Sequence, residues 1–533
     1  MFYSYGHFLK YENFANKIEN INDRSILGCI FLSFLVLLLN FFLPLNRELN
    51  TLLLVSGIIF MLVKRKSSFQ KKEFFYIILT SIITSSLIIY SNVNRPDAGL
   101  YHLPYVSILN ENKIIIGLSN IHFRFGVVSI IQYLSAINNN LIFKNIGIVI
   151  PLASIVTFFI IYFFNKVLKM IKNAENISQA NIFALFIVIF ISYKINRYSS
   201  FGNDAVAHLS LFYLLSKLLD KKKLDLSFIS LIAVYVFMSK TTLIIALIIP
   251  LYFFLKNISF KNTKITYSLS SLFFICWLIK NLMISGCLIY PIEQTCFKNL
   301  NWTDIKEVKI ESISGEAWSK DWPNRSDHKI SMEEYNKKFN WFSSWSKKHG
   351  IIILKIVVPY FLVCLIIIYL IREKKTSKEV ISISKNQNLN FFIFFSLIGI
   401  FLFITKFPLY RYGYSYLISF FILMINLVFW KFDKKYLLKT SKFILIICII
   451  IFSGKQLQRY IKNYNSNFIW PRIYSFETNQ KIDSKKIFFD ENFTIYKSDD
   501  ACMYNNSPCS NYDLKKNLSI VKKYSYYFVN IKN

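Results

Sequence analysis

Two short stretches of this chain each place an aspartate four or five residues ahead of a histidine. Asp97 precedes His102 in Asp97-Ala98-Gly99-Leu100-Tyr101-His102, and Asp204 precedes His208 in Asn203-Asp204-Ala205-Val206-Ala207-His208. A carboxylate beside an imidazole can act as general base toward a hydroxyl nucleophile, or help hold a divalent cation. The structural alternative is that Asp97, and Asn203 or Asp204, cap helices that start there, because short polar side chains are preferred at that position. Capping and chemistry are compatible. The i, i+4 spacing of Asp204 and His208 puts both on one helix face, and the repetition points to a shared carboxylate-rich cleft.

Four cations could complete an anion site there. Arg124 lies in Gly117-Leu118-Ser119-Asn120-Ile121-His122-Phe123-Arg124-Phe125-Gly126. The apolar run after it, 127–137, is too short to span comfortably and predicts an amphipathic or re-entrant helix on the outer leaflet. His122, Asn120 and Arg124 would then lie at headgroup level, where a guanidinium suits a phosphate and where simple snorkelling is the plain alternative. Lys240 follows an apolar block in Met238-Ser239-Lys240, Lys280 lies inside one in Trp277-Leu278-Ile279-Lys280, and Arg411 opens another in Tyr410-Arg411-Tyr412-Gly413. Singly each reads as structural; together they could clamp a phosphate or pyrophosphate.

The elements that must position these residues follow from composition. The 533 residues are 54% hydrophobic and 18% aromatic, and the apolar residues gather in blocks almost free of charge, long enough to cross about 30 Å of hydrocarbon. The blocks are Ile26–Leu45, Leu49–Val63, Phe74–Tyr90, Asn145–Phe164, Asn181–Asn196, Asp204–Leu219, Leu224–Met238, Thr241–Leu255, Ile265–Ser285, Ile351–Ile371, Leu389–Thr405, Tyr410–Trp430 and Lys442–Ser453. The expected fold class is therefore an all-α polytopic membrane protein of about 13 transmembrane helices. The formal charge of +33 does not point to nucleic acid, since the basic residues sit in short runs beside apolar blocks, with no basic face.

Those runs set orientation. Lys64-Arg65-Lys66 with Lys71-Lys72, then Lys166/Lys169/Lys172, Lys221-Lys222-Lys223, Lys256/Lys261/Lys264, Arg372/Lys374/Lys375 and Lys431/Lys434/Lys435 fall on one side of the map, which the positive-inside bias makes cytoplasmic. The expectation is a cytoplasmic N-terminus (1–25), membrane regions at 26–285 and 351–453, and outer segments at 91–144 and 286–350. A non-cytoplasmic tail follows at 454–533. No small-residue cleavage site follows the first block, so no cleaved signal peptide is expected. The pairs Cys287/Cys296 and Cys502/Cys509 both fall outside, where small disulfide loops can close; neither has zinc-like spacing or a histidine partner. The tryptophans of the large loop, Trp302, Trp318, Trp322, Trp341 and Trp345, suit interfacial anchoring or stacking on sugar rings.

With these segments in place the chain resembles the bacterial multi-spanning membrane proteins of the LIC_10190 type, grouped with the C-superfamily (GT-C) glycosyltransferases. The features that carry the resemblance are Asp97-x3-Tyr101-His102-x-Pro104, Gly117-Leu118-x-Asn120-x3-Arg124-x-Gly126, Lys280-Asn281-x3-Ser285-Gly286-x3-Tyr290-Pro291, Arg411-Tyr412-Gly413 and Cys502-x6-Cys509. In this chain the aspartate follows the third apolar block, where the superfamily usually has it after the first, and no adjacent acidic pair accompanies it. The resemblance implies a transferase in the bacterial inner membrane that takes a sugar from a polyprenyl-phosphate donor on the outer face, in envelope polysaccharide or glycoconjugate assembly. Asp97 would be its base or metal contact. On that reading Asp97, His102 and Asp204 are the candidate catalytic residues, Arg124, His208, Lys240, Lys280 and Arg411 the substrate contacts, and a divalent cation the candidate cofactor. Two alternatives stay open, an O-antigen polymerase or ligase and a transporter or flippase without chemistry. Internal repeats and polar, broken midplane helices, which transporters favour, are not evident.

Overall fold

The computed structural model describes residues 1–9, 21–63, 71–89, 97–172, 177–195, 202–220, 226–256, 264–373, 379–383, 386–463, 484–490, 493–515 and 517–531. Each of the thirteen apolar blocks contains a helix among the described residues. In chain order the helices that matter are α1 (Ile21–Phe42), α2 (Arg47–Val63), α3 (Lys71–Ile89), α4 (Leu103–Glu111), α5 (Ile130–Ala136), α6 (Ile150–Lys172), α7 (Gln179–Phe190) and α8 (Asp204–Leu218). They continue as α9 (Leu226–Ser239), α10 (Ile248–Leu255), α11 (Lys264–Ser285), α12 (Ile305–Ser319), α13 (Ile351–Ile371), α14 (Leu389–Lys406), α15 (Tyr410–Val428) and α16 (Lys434–Asn463).

Among the described residues seven helices are long and apolar enough to cross a membrane: Ile21–Phe42, Lys144–Lys172, Ser268–Ser285, Phe342–Ile371, Leu389–Lys406, Tyr410–Val428 and Lys434–Ile461. Shorter apolar helices cover Phe75–Ile88, Gln179–Lys194, Leu226–Ser239 and Thr241–Leu255. The helices divide by what surrounds them. In the most apolar stretch of Lys144–Lys172, 89% of residues are buried, against 33% for Phe342–Ile371 and 28% for Lys434–Ile461. The first is enclosed by other helices. The last two turn Leu354, Leu362, Ile366, Ile446 and Ile450 outward, a surface that suits hydrocarbon and not water.

Some boundaries differ from expectation. The first helix begins at Ile21, and ahead of it the turn Phe2–Tyr5 folds back onto α1, with Gly28 against the Phe2 carbonyl. The described part of the N-terminus is thus packed, not a free tail. The last helix runs on to Asn463, ten residues past the expected end at Ser453. Of the two forms expected for residues 127–137, a helix on the leaflet surface and a re-entrant one, burial excludes the first: the helix there is α5, whose seven residues are all buried. A surface helix needs one wet face, and α5 has none because α1, α4, α6 and α9 close around it. Asn94, Arg95, Pro96 and Phe201, and the runs Lys64-Arg65-Lys66 and Lys221-Lys222-Lys223, lie outside the described residues.

Three segments distant in sequence form a cap at one end of the bundle. Segment 97–144 supplies α4 and α5, segment 286–350 supplies α12, and the tail supplies a sheet of β3 (Ser484–Asp490), β4 (Phe493–Ser498) and β5 (Cys509–Ser510) plus the hairpin β6 (Leu518–Lys523) and β7 (Tyr526–Ile531). Ile116 exchanges backbone hydrogen bonds with the hairpin, donating to Tyr527 at 2.9 Å and accepting from Val529 at 2.8 Å. Gly117 follows with φ of 75°, and a Cβ there would collide with the Val529 carbonyl. Glycine alone fits both the conformation and the contact. Ile531 N–H donates to Asn301 O at 3.1 Å, and Met503 N–H to Gly99 O at 2.8 Å. Both of these cysteine pairs are disulfides, Cys287–Cys296 and Cys502–Cys509. At the opposite end of the bundle, β1 (Val380–Ser382) pairs antiparallel with β2 (Lys431–Asp433).

Candidate functional site

Four element ends meet under the cap. Asp97 precedes a single π-turn, Ala98–His102, that runs into α4, where Pro104 occupies one of the first two positions and so removes no helical hydrogen bond. Asp204 is the first residue of α8, Lys240 follows the last residue of α9, and Arg411 is the second residue of α15. Each position is a helix terminus, where the chain can turn a polar side chain out of the apolar bundle.

There the two aspartates meet cations, not helix ends. Asp97 makes no capping bond and receives Arg411 Nη1 on Oδ2 at 2.8 Å. Asp204 pairs with Lys240 Nζ. Asn203 precedes α8 yet makes no side-chain cap; its amide donates to the Ser239 carbonyl at 2.9 Å. The capping alternative fails at both sites. The pairs join through the Arg411 backbone, whose carbonyl accepts from Lys240 Nζ at 2.9 Å and from His208 Nε2 at 2.8 Å. Tyr412 completes the group: its hydroxyl lies 3.2 Å from Arg411 Nη2, and Lys240 Nζ stands 4.5 Å from its ring centre. Asp97 and Asp204 therefore share one charged cluster.

The expected residues divide by exposure. The side chains of Arg411, Asp204 and Asp97 are 48%, 38% and 36% exposed, but Lys240 only 6%. His208 is fully buried, with Ser415 Oγ on Nδ1 at 2.7 Å, the Arg411 carbonyl on Nε2, and the tilted Tyr414 ring centred 3.8 Å away. Both its nitrogens are committed, so His208 holds the start of α15 and has no polar atom left for a ligand. Lys240 is likewise a bracket between α8 and α15, not a free cation. Lys280 joins none of these bonds. It is buried in α11 with its ammonium 3.4 Å from the Trp277 ring centre and no hydrogen-bond partner among the described residues. A substrate contact at Lys280 is not part of this cluster.

Arg124 stands beside the cluster. Its guanidinium lies 5.0 Å from the Phe123 ring and 5.7 Å from Tyr101, with no ion pair within 4 Å among the described residues. His122 caps its turn, accepting the Arg124 N–H on Nδ1 at 3.0 Å and meeting Asn511 through Nε2 at 3.1 Å. Asn120 is spent on the Trp302 and Val529 carbonyls, both at 2.9 Å. The motif thus presents one free group, the Arg124 guanidinium, on a turn pinned to the cap.

Burial pushes the Asp97 carboxyl up, but Arg411's charge and hydrogen bond, with His102 and Arg124 behind, outweigh it and hold the group below the ordinary carboxylate range. Burial pushes His102 down to about 4 against the pull of Asp97 and Asp204. At neutral pH the cluster thus offers an ionised carboxylate and a neutral imidazole. No three His, Cys, Asp or Glu side chains gather as a cation site among the described residues. Each aspartate already has an ammonium or guanidinium, so the donor set does not fit a divalent ion. A cavity of about 10 Å³ beside His102, Gln132 and Asn203 has room for one water and none for a sugar.

The family model described as "Domain of unknown function (DUF8201)" matches residues 1–418. The chain belongs to this family. The matched part holds Asp97, His102, Arg124, Asp204, His208, Lys240, Lys280 and Arg411, and leaves the β-strands of the tail outside it. No curated protein and no solved structure matches the chain.

Sequence reasoning missed Gln132, Ser129 and Tyr412. Gln132 had a legible signal: Ser129-Ile130-Ile131-Gln132 is a capping box, Ser followed three residues later by Gln, and the structure forms it. Tyr412 stood in the Arg411-Tyr412-Gly413 motif but without a role, because one tyrosine in a chain with 33 of them does not say what it meets.

Proposed function

We propose that the chain is a GT-C-like membrane glycosyltransferase that moves a sugar from a polyprenyl-phosphate donor to an acceptor hydroxyl at the capped end of the bundle. On this reading all thirteen apolar helices cross the bacterial inner membrane, with the N-terminus in the cytoplasm and the cap outside. The single observation that supports it most is the convergence of Asp97, Asp204 and Arg411 beside the unpaired Arg124. That arrangement puts a carboxylate base and two guanidiniums, suited to phosphate, within one exposed cluster.

The step is an exchange of partners. A donor phosphate draws the Arg411 guanidinium away from Asp97, with Arg124 on its other side. Losing its counter-ion makes the Asp97 carboxylate more basic. Asp97 then takes the acceptor's hydroxyl proton as the acceptor oxygen bonds to the anomeric carbon. The bond from that carbon to the phosphate oxygen breaks, and its electron pair leaves on the lipid phosphate, neutralised by the guanidiniums. Lys240, Asp204 and His208 keep Arg411 in place.

The test is transfer by purified protein in nanodiscs from synthetic polyprenyl-phosphate sugars. Asp97→Asn should lower transfer by about 10²- to 10⁴-fold, the usual worth of a general base, at an unchanged level of folded protein. Normal transfer by that variant sinks the role of Asp97. No product from folded wild type across a broad donor and acceptor panel sinks the transferase reading, and a ladder of chain lengths replaces it with a polymerase.

A further inference from the structure

The network behind the charged cluster fixes the direction of every hydrogen bond in it. It starts from a backbone N–H, which can only donate. The Ser129 N–H lies 2.9 Å from Gln132 Oε1, so that side of the Gln132 amide is its carbonyl oxygen. The other side is then the NH₂, and it stands 2.9 Å from His102 Nδ1. A nitrogen that faces an NH₂ group at that distance must accept.

We infer that His102 is held as a single neutral tautomer, proton on Nε2 and lone pair on Nδ1, and that Gln132 is the positioning residue that sets it. The imidazolium is excluded by the same logic, since its Nδ1–H would point at the amide hydrogens unless Gln132 let go of Ser129. His102 is only 7% exposed, which also favours the uncharged ring. An imidazole in this form carries a neutral N–H donor at Nε2, and no base at that atom.

The frame is anchored on every side. Ser129 Oγ donates to the Ser239 carbonyl at 2.7 Å, and the same oxygen accepts from Asn203 at 2.9 Å. Ser239 immediately precedes Lys240, and Asn203 immediately precedes Asp204. One carbonyl therefore ties the turn bearing Gln132 to the residues that carry the Lys240–Asp204 pair. The charged groups in electrostatic reach of the His102 ring are Asp97, Asp204, Arg411 and Lys240, two of each sign. A neutral donor there suits an oxyanion, such as a phosphate oxygen, without adding a charge that would compete with Arg411 for Asp97. That use of the N–H rests on the transferase reading; the tautomer does not.

The test reads the proton directly. Protein labelled with ¹⁵N-histidine in nanodiscs gives signals from 6 histidines, and the one lost in His102→Asn is His102. Wild type should show the neutral Nε2–H form throughout pH 5 to 8. In Gln132→Glu a carboxylate oxygen faces Nδ1, so the proton should move to Nδ1, either as the other tautomer or as the imidazolium. Gln132→Met, which offers neither donor nor acceptor, should release the ring to a mixture of tautomers and serves if Gln132→Glu does not fold. A wild-type His102 found as Nδ1–H or as the cation at pH 7 overturns the inference, as does an unchanged His102 signal in both variants. None of these outcomes needs a substrate. If the nanodisc assay gives product, Gln132→Glu should lower kcat at least tenfold with the Nε2 proton gone. Unchanged kcat with a moved proton would keep the tautomer and remove its use in transfer.

Discussion

Helix α8 carries an ion-pair cluster at each end, and the two are built in opposite ways. Asp204 opens the helix and Lys217 lies near its close, thirteen residues on, a rise of about 20 Å. At the Lys217 end the central pair is sealed. Lys217 Nζ meets Asp23 Oδ2 at 2.7 Å, Tyr213 donates to Asp23 Oδ1 at 2.8 Å, and the side chains are 13% and 6% exposed. Lys166 and Asp220 pair alongside at 2.5 Å. At the Asp204 end the carboxylates are more than a third exposed and Arg124 stands unpaired. A sealed pair with both carboxylate oxygens satisfied ties helices together. An open pair with a spare cation can trade partners, which is what binding requires.

The comparison breaks most visibly under substitution. Lys217→Met takes from buried Asp23 its bonded cation and leaves only the more distant Lys166, and should cost up to about 3–5 kcal/mol. Its thermal unfolding in detergent should fall sharply, and the double variant Asp23→Leu/Lys217→Met should recover most of the loss. At the other end Arg411→Gln or Asp97→Asn removes a pair that water can replace, and should cost no more than about 1 kcal/mol. Under the proposed function the effect on transfer runs the other way. The Asp97 and Arg411 variants should lose it, while the Asp23/Lys217 double variant, once folded, should keep it. An Arg411→Gln protein that unfolds as readily as Lys217→Met would show that both clusters are struts.

The pH response of the open pair has a definite sign. Arg411 holds the folded Asp97 below its ordinary value, so the pair stabilises the fold above the ordinary carboxylate range, near pH 4. That contribution is lost only as pH falls through the lower folded value. Between pH 5 and 8 Asp97 should stay ionised. Infrared titration of the carboxylate band, wild type minus Asp97→Asn, should be flat over that window, and a change within it would mean that Arg411 is not the standing partner.

What was legible in the sequence was whatever burial writes into composition. Each apolar block became a helix because a long uncharged run has nowhere to satisfy its backbone except within itself. Asp97, Asp204, Lys240 and Arg411 were visible as charges at block ends. Their partners were not, because Arg411 lies 314 positions from Asp97 and nothing local encodes that meeting. The bonds of His208 and Lys240 were hidden for the same reason: the Arg411 carbonyl that binds both is a backbone atom, silent in any sequence. Residues 130–136 show the reverse: of the surface and re-entrant forms expected there, burial removes the surface one. A short apolar run looks alike whether one face is wet or none, and only neighbours such as Asn110 and Asn50, which both donate to the Ala136 carbonyl, distinguish the two.

The smallest expected effect sits between the two kinds of cluster. Burial pushes the Glu311 carboxyl of α12 up to about 7, with Glu307 adding to the shift while Arg124 and Lys515 oppose it. An acid raised in the folded state stays protonated while the unfolded chain ionises, so stability should decline as pH rises from about 4.5 toward 7 and level off above. Glu311→Gln should remove that slope in thermal unfolding scans. Arg124 feels the same change. Above pH 7 an ionised Glu311 offsets its positive charge, and below it the guanidinium is left for an external anion. Inorganic pyrophosphate should therefore bind wild type a few-fold more tightly at pH 6 than at pH 8, a difference on the order of 1 kcal/mol or less for partly exposed charges. The same titration on Glu311→Gln should show no such step beyond the ligand's own ionisation. A step of equal size in Glu311→Gln would assign it elsewhere, and would leave Arg124 as an unpaired cation whose strength the cap does not tune.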